Sequence, residues 1–107
     1  MTPSPPIAVR PEEWLILTDI LDRHVPRCEV WAFGSRARGA AKPYSDLDLA
    51  IVAEPGLGLE RLAEIREALS DSDLPWKVDL IDWANTGEEF RRLIAAHKVL
   101  VKSREAS

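Results

Sequence analysis

The sequence predicts an α/β (α+β) fold, a small mixed β-sheet flanked by helices. Short runs of β-branched and aromatic residues alternate with segments of helical periodicity. Few runs qualify as strands, so the sheet is small. The 107 residues, 46% apolar and 30% charged, suit one soluble domain.

Residues 1–11 contain Pro3, Pro5, Pro6 and Pro11 and are expected to form an extended N-terminal arm. A single domain is expected over residues 12–107. Pro11 suits the first position of a helix, and Glu12 and Glu13 suit its positive end. Trp14, Leu17 and Leu21 recur at helical spacing and should face the core. Pro26 closes that segment. Glu29 to Phe33 predicts a strand, which Gly34-Ser35 breaks. Asp46 to Val52 predicts a second strand. Pro55, Gly56 and Gly58 mark a loop. Leu59 to Leu69 predicts a helix with Leu62, Ile65 and Leu69 on one side. Lys77 to Ile81 predicts a third short strand. Thr86 and Glu89 have the spacing of a capping box before a last helix. That helix has an amphipathic face of Phe90, Leu93, Ile94 and His97. Val99 to Val101 reads as a brief strand or tail. No internal repeat or domain linker is evident.

No 18-residue apolar run is present, so no membrane-spanning helix is expected. The proline-rich N-terminus lacks the charged-then-hydrophobic order of a secretory signal. The single cysteine, Cys28, allows no internal disulfide and no cysteine-based metal site. It is expected to be a small buried hydrophobe in a cytoplasmic protein. The net charge of −4 argues against binding a nucleic-acid duplex. It leaves open a metal–nucleotide ligand, because a bound cation offsets nearby acids.

The chemistry concentrates between Phe33 and Leu49. Gly34 and Gly39 allow close backbone approach or positive φ. A helix starting near Ser35 would present free N–H groups to an anion, and the Ser35 hydroxyl could add a hydrogen bond. Arg36, Arg38 and Lys42 add positive charge. On its own this is also the pattern of an ordinary strand-to-helix turn with solvated basic residues. Asp46 and Asp48 stand at i and i+2 of the expected strand, so both carboxylates share one face. Leu47 and Leu49 then face the core. Two like charges so placed repel unless a cation lies between them, and Mg²⁺ takes hard oxygen ligands plus substrate phosphates. Asp79 is a polar residue between Val78 and Leu80, and such a residue needs a partner. If the second and third strands are neighbours, Asp79 can join Asp46 and Asp48. Asp82 competes for this role but lies on the opposite face of a regular strand.

Gly34-Ser35, ten residues, Asp46, one residue and Asp48 resemble the signature of the DNA polymerase β-like nucleotidyltransferase superfamily. The wording Gly-Ser-Arg-Ala-Arg-Gly and Ser-Asp-Leu-Asp-Leu resembles its minimal nucleotidyltransferase (MNT) branch. The matching stretch runs from about Glu29 to Ile81, half of the chain. The resemblance implies that Gly34 and Ser35 bind nucleotide phosphates, with Arg36 and Arg38 as further phosphate contacts. It implies that Asp46 and Asp48 coordinate Mg²⁺ and that Asp79 helps to activate the attacking hydroxyl. The donor it implies is ATP, with pyrophosphate leaving. Small MNT proteins accompany HEPN-domain ribonucleases as toxin–antitoxin pairs. By resemblance, the partner of this chain would be a HEPN toxin that receives AMP on a tyrosine.

Two other readings compete. The chain could neutralise a toxin by binding alone, or it could modify a small molecule. An intact acidic triad argues against the first, and the lack of a second domain against the second. His24 and His97 lie in predicted helices without a partner at ligand spacing and read as structural or solvent-facing. Tyr44 reads as a loop residue beside the acids. Trp14 and Trp31 are expected in the core. Trp76 and Trp83 pack against the sheet edge or, if exposed, anchor a partner.

Overall fold

The computed structural model describes residues 5–53 and 55–104. Residues 1–4 of the expected arm lie outside them. Residues 5–10 form neither helix nor strand, yet Ile7 buries into the core.

Helix α1 spans Pro11–His24, with Pro11 in its first turn and Glu12 and Glu13 beside it. The Glu13 carboxylate accepts the Arg10 N–H at 2.8 Å, satisfying a donor at the helix entry. Strand β1 is Glu29–Phe33 and β2 is Leu47–Val52. Helix α2 is Leu59–Ser70. Strand β3 is Val78–Asp82, followed by a 3-10 turn at Trp83–Asn85. Helix α3 is Glu88–His97 and strand β4 is Val99–Lys102. No helix among the described residues is long and apolar enough to cross a membrane.

The sheet order is β3-β2-β1-β4. β1 runs antiparallel to β2 and β4, while β2 and β3 are parallel, so the sheet is mixed. Alternation along the strands divides its two faces. On one face Val30, Ala32, Leu47, Leu49, Ile51, Leu80 and Val101 meet Leu17 and Leu21 of α1 and Leu62, Ile65 and Leu69 of α2. The helical stripes expected from spacing are thus the buried ones. Trp14 and Cys28 are half-buried against the same core.

The other face carries Trp31, Phe33, Asp48 and Asp79, and it is covered only in part. Trp83 meets Trp31 edge-on at 4.7 Å, and Phe90 of α3 meets Phe33 edge-on at 5.7 Å. Lys98 and Arg91 flank this aromatic pair, over the Trp31 and Trp83 rings respectively.

Two details depart from expectation. The capping box of α3 does not form. Gly87 is the N-cap, and the Thr86 hydroxyl turns back to donate to the Asp82 carbonyl at 2.8 Å, which fastens the 3-10 turn instead. Of the amphipathic face of α3, only Ile94 is buried; Phe90 is 43% and Leu93 68% exposed, and His97 is exposed. The short sheet offers α3 too little surface to cover its whole stripe.

Candidate active site

The site is built where β1 ends, β2 begins and β3 runs beside it. Register places Phe33 opposite Asp48 and Asp48 opposite Asp79. The side chains therefore form a row across the open face, from β1 through β2 to β3. Asp48 and Asp79 stand on neighbouring parallel strands, so the condition set by the sequence for their meeting is fulfilled. Asp46 lies one residue before β2, which begins at Leu47 rather than at Asp46. It is exposed at the mouth of the row. The Leu47 N–H donates to the Lys77 carbonyl at 2.9 Å, which fixes where the parallel pairing starts.

Asp48 is the electrostatic centre of the row. Burial raises its carboxyl above the ordinary 3.8, and the charges of Asp79 and Asp46 raise it further. Asp79 finds partial compensation from the Lys77 ammonium at 3.5 Å, an exposed pair of small energetic weight.

Gly34 follows β1 with φ +78°, the left-handed region. A Cβ there would collide with Asp48 Oδ2. Glycine is required twice over, by the backbone and by the carboxylate lying against it. Residues 35–39 form a wound turn and no helix. Arg38 N–H donates to Gly34 O at 3.1 Å and Ala40 N–H to Ser35 O at 2.9 Å. The amides of Ser35, Arg36 and Ala37 donate to no backbone carbonyl among the described residues. The turn thus presents early N–H groups as a helix start does, within a single turn. Arg38 is exposed beside Gly34, and among the described residues it makes no ion pair.

Arg36 is placed differently from its expected role as a phosphate contact. The residue is 6% exposed. Its Nε donates to Ser45 O at 2.9 Å, one terminal nitrogen to Ala8 O at 2.7 Å and the other to Pro43 O at 3.1 Å. The guanidinium also lies 4.6 Å over the Trp76 ring. Ala8 N–H returns a bond to the Arg36 carbonyl at 3.0 Å. Burial lowers its pKa, against the opposing pull of Glu13 and Asp46. Its donors are committed to the backbone, so Arg36 fastens the N-terminal segment, the glycine turn and the loop leading to Asp46. Nothing in a single sequence distinguishes such an arginine from a ligand contact.

Asp82 likewise serves the fold through one oxygen, while its Oδ1 is buried without a hydrogen-bond partner among the described residues. It is buried at the other end of β3, where Oδ2 accepts from Leu57 N–H and Asn85 Nδ2, each at 3.1 Å. It organises the loop before α2 and the 3-10 turn, away from Asp48. Tyr44 is 90% exposed in the loop, Trp76 is buried beneath Arg36, and Trp83 is half-buried on Trp31.

As they stand, no three His, Cys, Asp or Glu side chains among the described residues are grouped closely enough to hold a metal ion. Like charges repel, and Lys77 holds one oxygen of Asp79. The donor set still suits a hard divalent cation. Its acids are hard oxygen ligands, and the partly desolvated Asp48 would be relieved by positive charge.

Comparison with known proteins gives concordant results. Residues 17–107 match the family described as "Polymerase beta, Nucleotidyltransferase". The probable protein adenylyltransferase MntA of Haemophilus influenzae is 48% identical over 105 residues, covering 98% of this chain and 92% of that protein. A crystal structure of a toxin–antitoxin with AMP-PNP superposes with a TM-score of 0.73 at 22% identity, over 86% of this chain and 74% of that one. The MNT antitoxin complex with the tri-AMPylated HEPN toxin of Shewanella oneidensis gives 0.67 at 19% identity, over 86% and 71%. At such identities the structural likeness concerns the fold. The chain belongs to the polymerase β nucleotidyltransferase family and to its minimal branch, and it is a nucleotidyltransferase.

Proposed function

For this nucleotidyltransferase, we propose transfer of AMP from ATP to a hydroxyl of a partner protein, in the cytoplasm and with Mg²⁺. The chain would act as an antitoxin, and the acceptor would be a tyrosine of a HEPN-domain ribonuclease toxin. The observation that carries the chemistry is the row of Asp48 and Asp79 against Gly34: partly desolvated like charges beside a backbone too close for any side chain. The acceptor is inferred from the 48% identical relative named a protein adenylyltransferase and from toxin–antitoxin complexes of the same fold. The proposed domain is residues 12–107.

Asp46, Asp48 and Asp79 would hold the metal. The chemistry supplied by Mg²⁺ held there would be neutralisation of phosphate charge. Gly34 and Ser35 would receive the phosphates, Gly34 by close approach and Ser35 by its N–H and hydroxyl. Arg38 would offset charge on the departing pyrophosphate. Asp79 would orient the acceptor hydroxyl and take its proton. The new bond joins the acceptor oxygen to the α-phosphorus, the α–β phosphoanhydride breaks, and pyrophosphate leaves. Arg36 would position the turn without touching the nucleotide.

The test is incubation of the chain and a cognate HEPN partner with labelled ATP and Mg²⁺. The expected result is an AMP mass increment on the partner, abolished in Asp46→Ala/Asp48→Ala. Full neutralisation of the toxin by that double variant would assign neutralisation to binding alone. Label on a small hydroxylated acceptor with none on protein would redirect the activity to small molecules.

A further inference from the structure

The segment before α1 is neither helix nor strand, yet it is tied to the molecule. Ile7 is buried in the core, and Val9 packs against it half-buried. Ala8, between them, is exposed and offers only its backbone. Its N–H donates to the Arg36 carbonyl at 3.0 Å, and its carbonyl accepts from the Arg36 guanidinium at 2.7 Å. A reciprocal pair of bonds thus joins this segment to the glycine turn. The same guanidinium donates to the carbonyls of Pro43 and Ser45, and Ser45 immediately precedes Asp46. Loop 41–46 closes on itself, Ser45 N–H to Lys42 O at 3.0 Å and Lys42 N–H to Ser45 Oγ at 2.9 Å. Among the described residues, its hydrogen bonds to the glycine turn all run through Arg36. One side chain therefore sets Asp46 relative to Ser35.

We propose that Ile7 and Ala8 are positioning residues for nucleotidyl transfer: Ile7 anchors the segment, Ala8 holds Arg36, and Arg36 holds the glycine turn and Asp46 in their mutual placement. The inference rests on the reading of that turn and Asp46 as the site of transfer. A guanidinium is a rigid planar fork, so one aimed at three fixed carbonyls cannot follow one of them without releasing the others. Withdrawing the Ala8 carbonyl leaves a buried donor unpaired, which favours rotation toward water and loss of Pro43 and Ser45. The charges of Glu13 and Asp46 attract the guanidinium but accept none of these three hydrogen bonds. A purely structural Ile7 would fill the core and affect stability alone.

The test is a substitution cycle in the full chain, with Ile7→Ala, Arg36→Lys and both, read by transfer per folded molecule and by amide hydrogen exchange. Val101→Ala is the comparison, because Val101 is buried in the same core on β4, which pairs with β1 alone. Ile7→Ala should lower transfer by about tenfold, short of the roughly hundredfold that a misplacement of about 1 Å can cost. It should speed exchange of the Arg38 and Ala40 amides, which close the glycine turn, more than that of amides in the core strands. In the Arg36→Lys background it should lower transfer by less than about twofold further, since the link is already broken. Val101→Ala should reduce stability and leave transfer per folded molecule as in wild type. Ile7→Val, which keeps most of the buried side chain, should restore both readouts. Ala8→Pro removes the N–H at an exposed position. The Val9 N–H to Ile7 O bond at 2.8 Å marks a tight turn centred on Ala8, whose negative φ proline can adopt. It should speed exchange at Arg38 and Ala40 with the core intact, so a misfolded Ile7→Ala cannot hide the answer. Exchange at the turn no faster than in Val101→Ala, or losses of transfer that multiply fully in the double variant, would overturn the proposal. If the wild type transfers AMP to no acceptor, the functional reading fails, and exchange still decides whether Ile7 and Ala8 hold the turn.

Discussion

Arg36 and Asp48 stand on either side of the same glycine turn, and both hold charge away from water. Their surroundings are opposite. Arg36 directs three nitrogens at three backbone carbonyls and rests on Trp76. Asp48 faces two further carboxylates. Desolvation shifts the pKa of both residues, and the partners separate them. A charge whose partners are supplied by the fold serves the fold. A charge whose neighbours share its sign is incomplete until a ligand arrives.

The strongest way to break this contrast is to neutralise Asp48. Asp48→Asn is expected to lower AMP transfer by about a thousandfold, the upper range for loss of one preorganised charge-stabilising group. The variant should nevertheless melt no lower than wild type, because it removes a partly desolvated charge. Mg²⁺ should raise the melting temperature of wild type and not of the variant. Transfer assays and thermal melts in parallel decide the matter, and a variant that loses stability along with activity would contradict the contrast. Arg36→Ala reverses the pattern. Removing the shared donor of three carbonyls should destabilise the fold by about 3 kcal/mol, read from denaturant midpoints. Residual transfer per folded molecule should exceed that of Asp48→Asn.

Gly34→Ala tests the boundary between the two regions. Forcing a Cβ into the left-handed conformation against Asp48 should cost about 1–2 kcal/mol of stability. It should also weaken Mg²⁺ binding by displacing the carboxylate, seen as a higher half-saturating concentration.

A subtler effect is pH dependence. Because the folded Asp48 carboxyl is raised, the native state holds its proton to higher pH than the unfolded chain. The stability associated with that proton is present in acid and is lost as pH climbs above 3.8 through the raised value. Stability curves of wild type and Asp48→Asn should converge in acid and separate in favour of the variant as pH rises. The smallest effect belongs to Lys77→Ala, which breaks an exposed pair and should change stability by less than about 0.5 kcal/mol.

Much of this architecture is legible in the sequence. Pro11 at a helix start, the Leu17–Leu21 and Leu62–Ile65–Leu69 stripes, and Glu29–Phe33 each follow from local rules, and the structure keeps them. The spacing of Asp46 and Asp48 marks the candidate site, although β2 starts at Leu47, where pairing to Lys77 begins. Long-range competition hid the rest. Thr86 chose the Asp82 carbonyl over its own helix. Arg36 chose Ala8, 28 residues earlier in the chain. No window of sequence contains both halves of that bond. The rivalry between Asp79 and Asp82 likewise required register, which sets one beside Asp48 and the other beside Ile51.

The Lys102 ammonium lies among the carbonyls of Val25, Pro26, Cys28 and Ser103. Its strand, β4, covers the side of β1 that β2 leaves free. Lys102 is 77 residues beyond Val25. On a ribosome adding roughly 5–20 residues per second, β1 waits on the order of 4–15 seconds for that neighbour. During that interval a strand containing Val30, Trp31 and Phe33 has an uncovered edge. Until β4 is made that edge stays open to association, even with Asp46, Asp48 and Asp79 already in the chain.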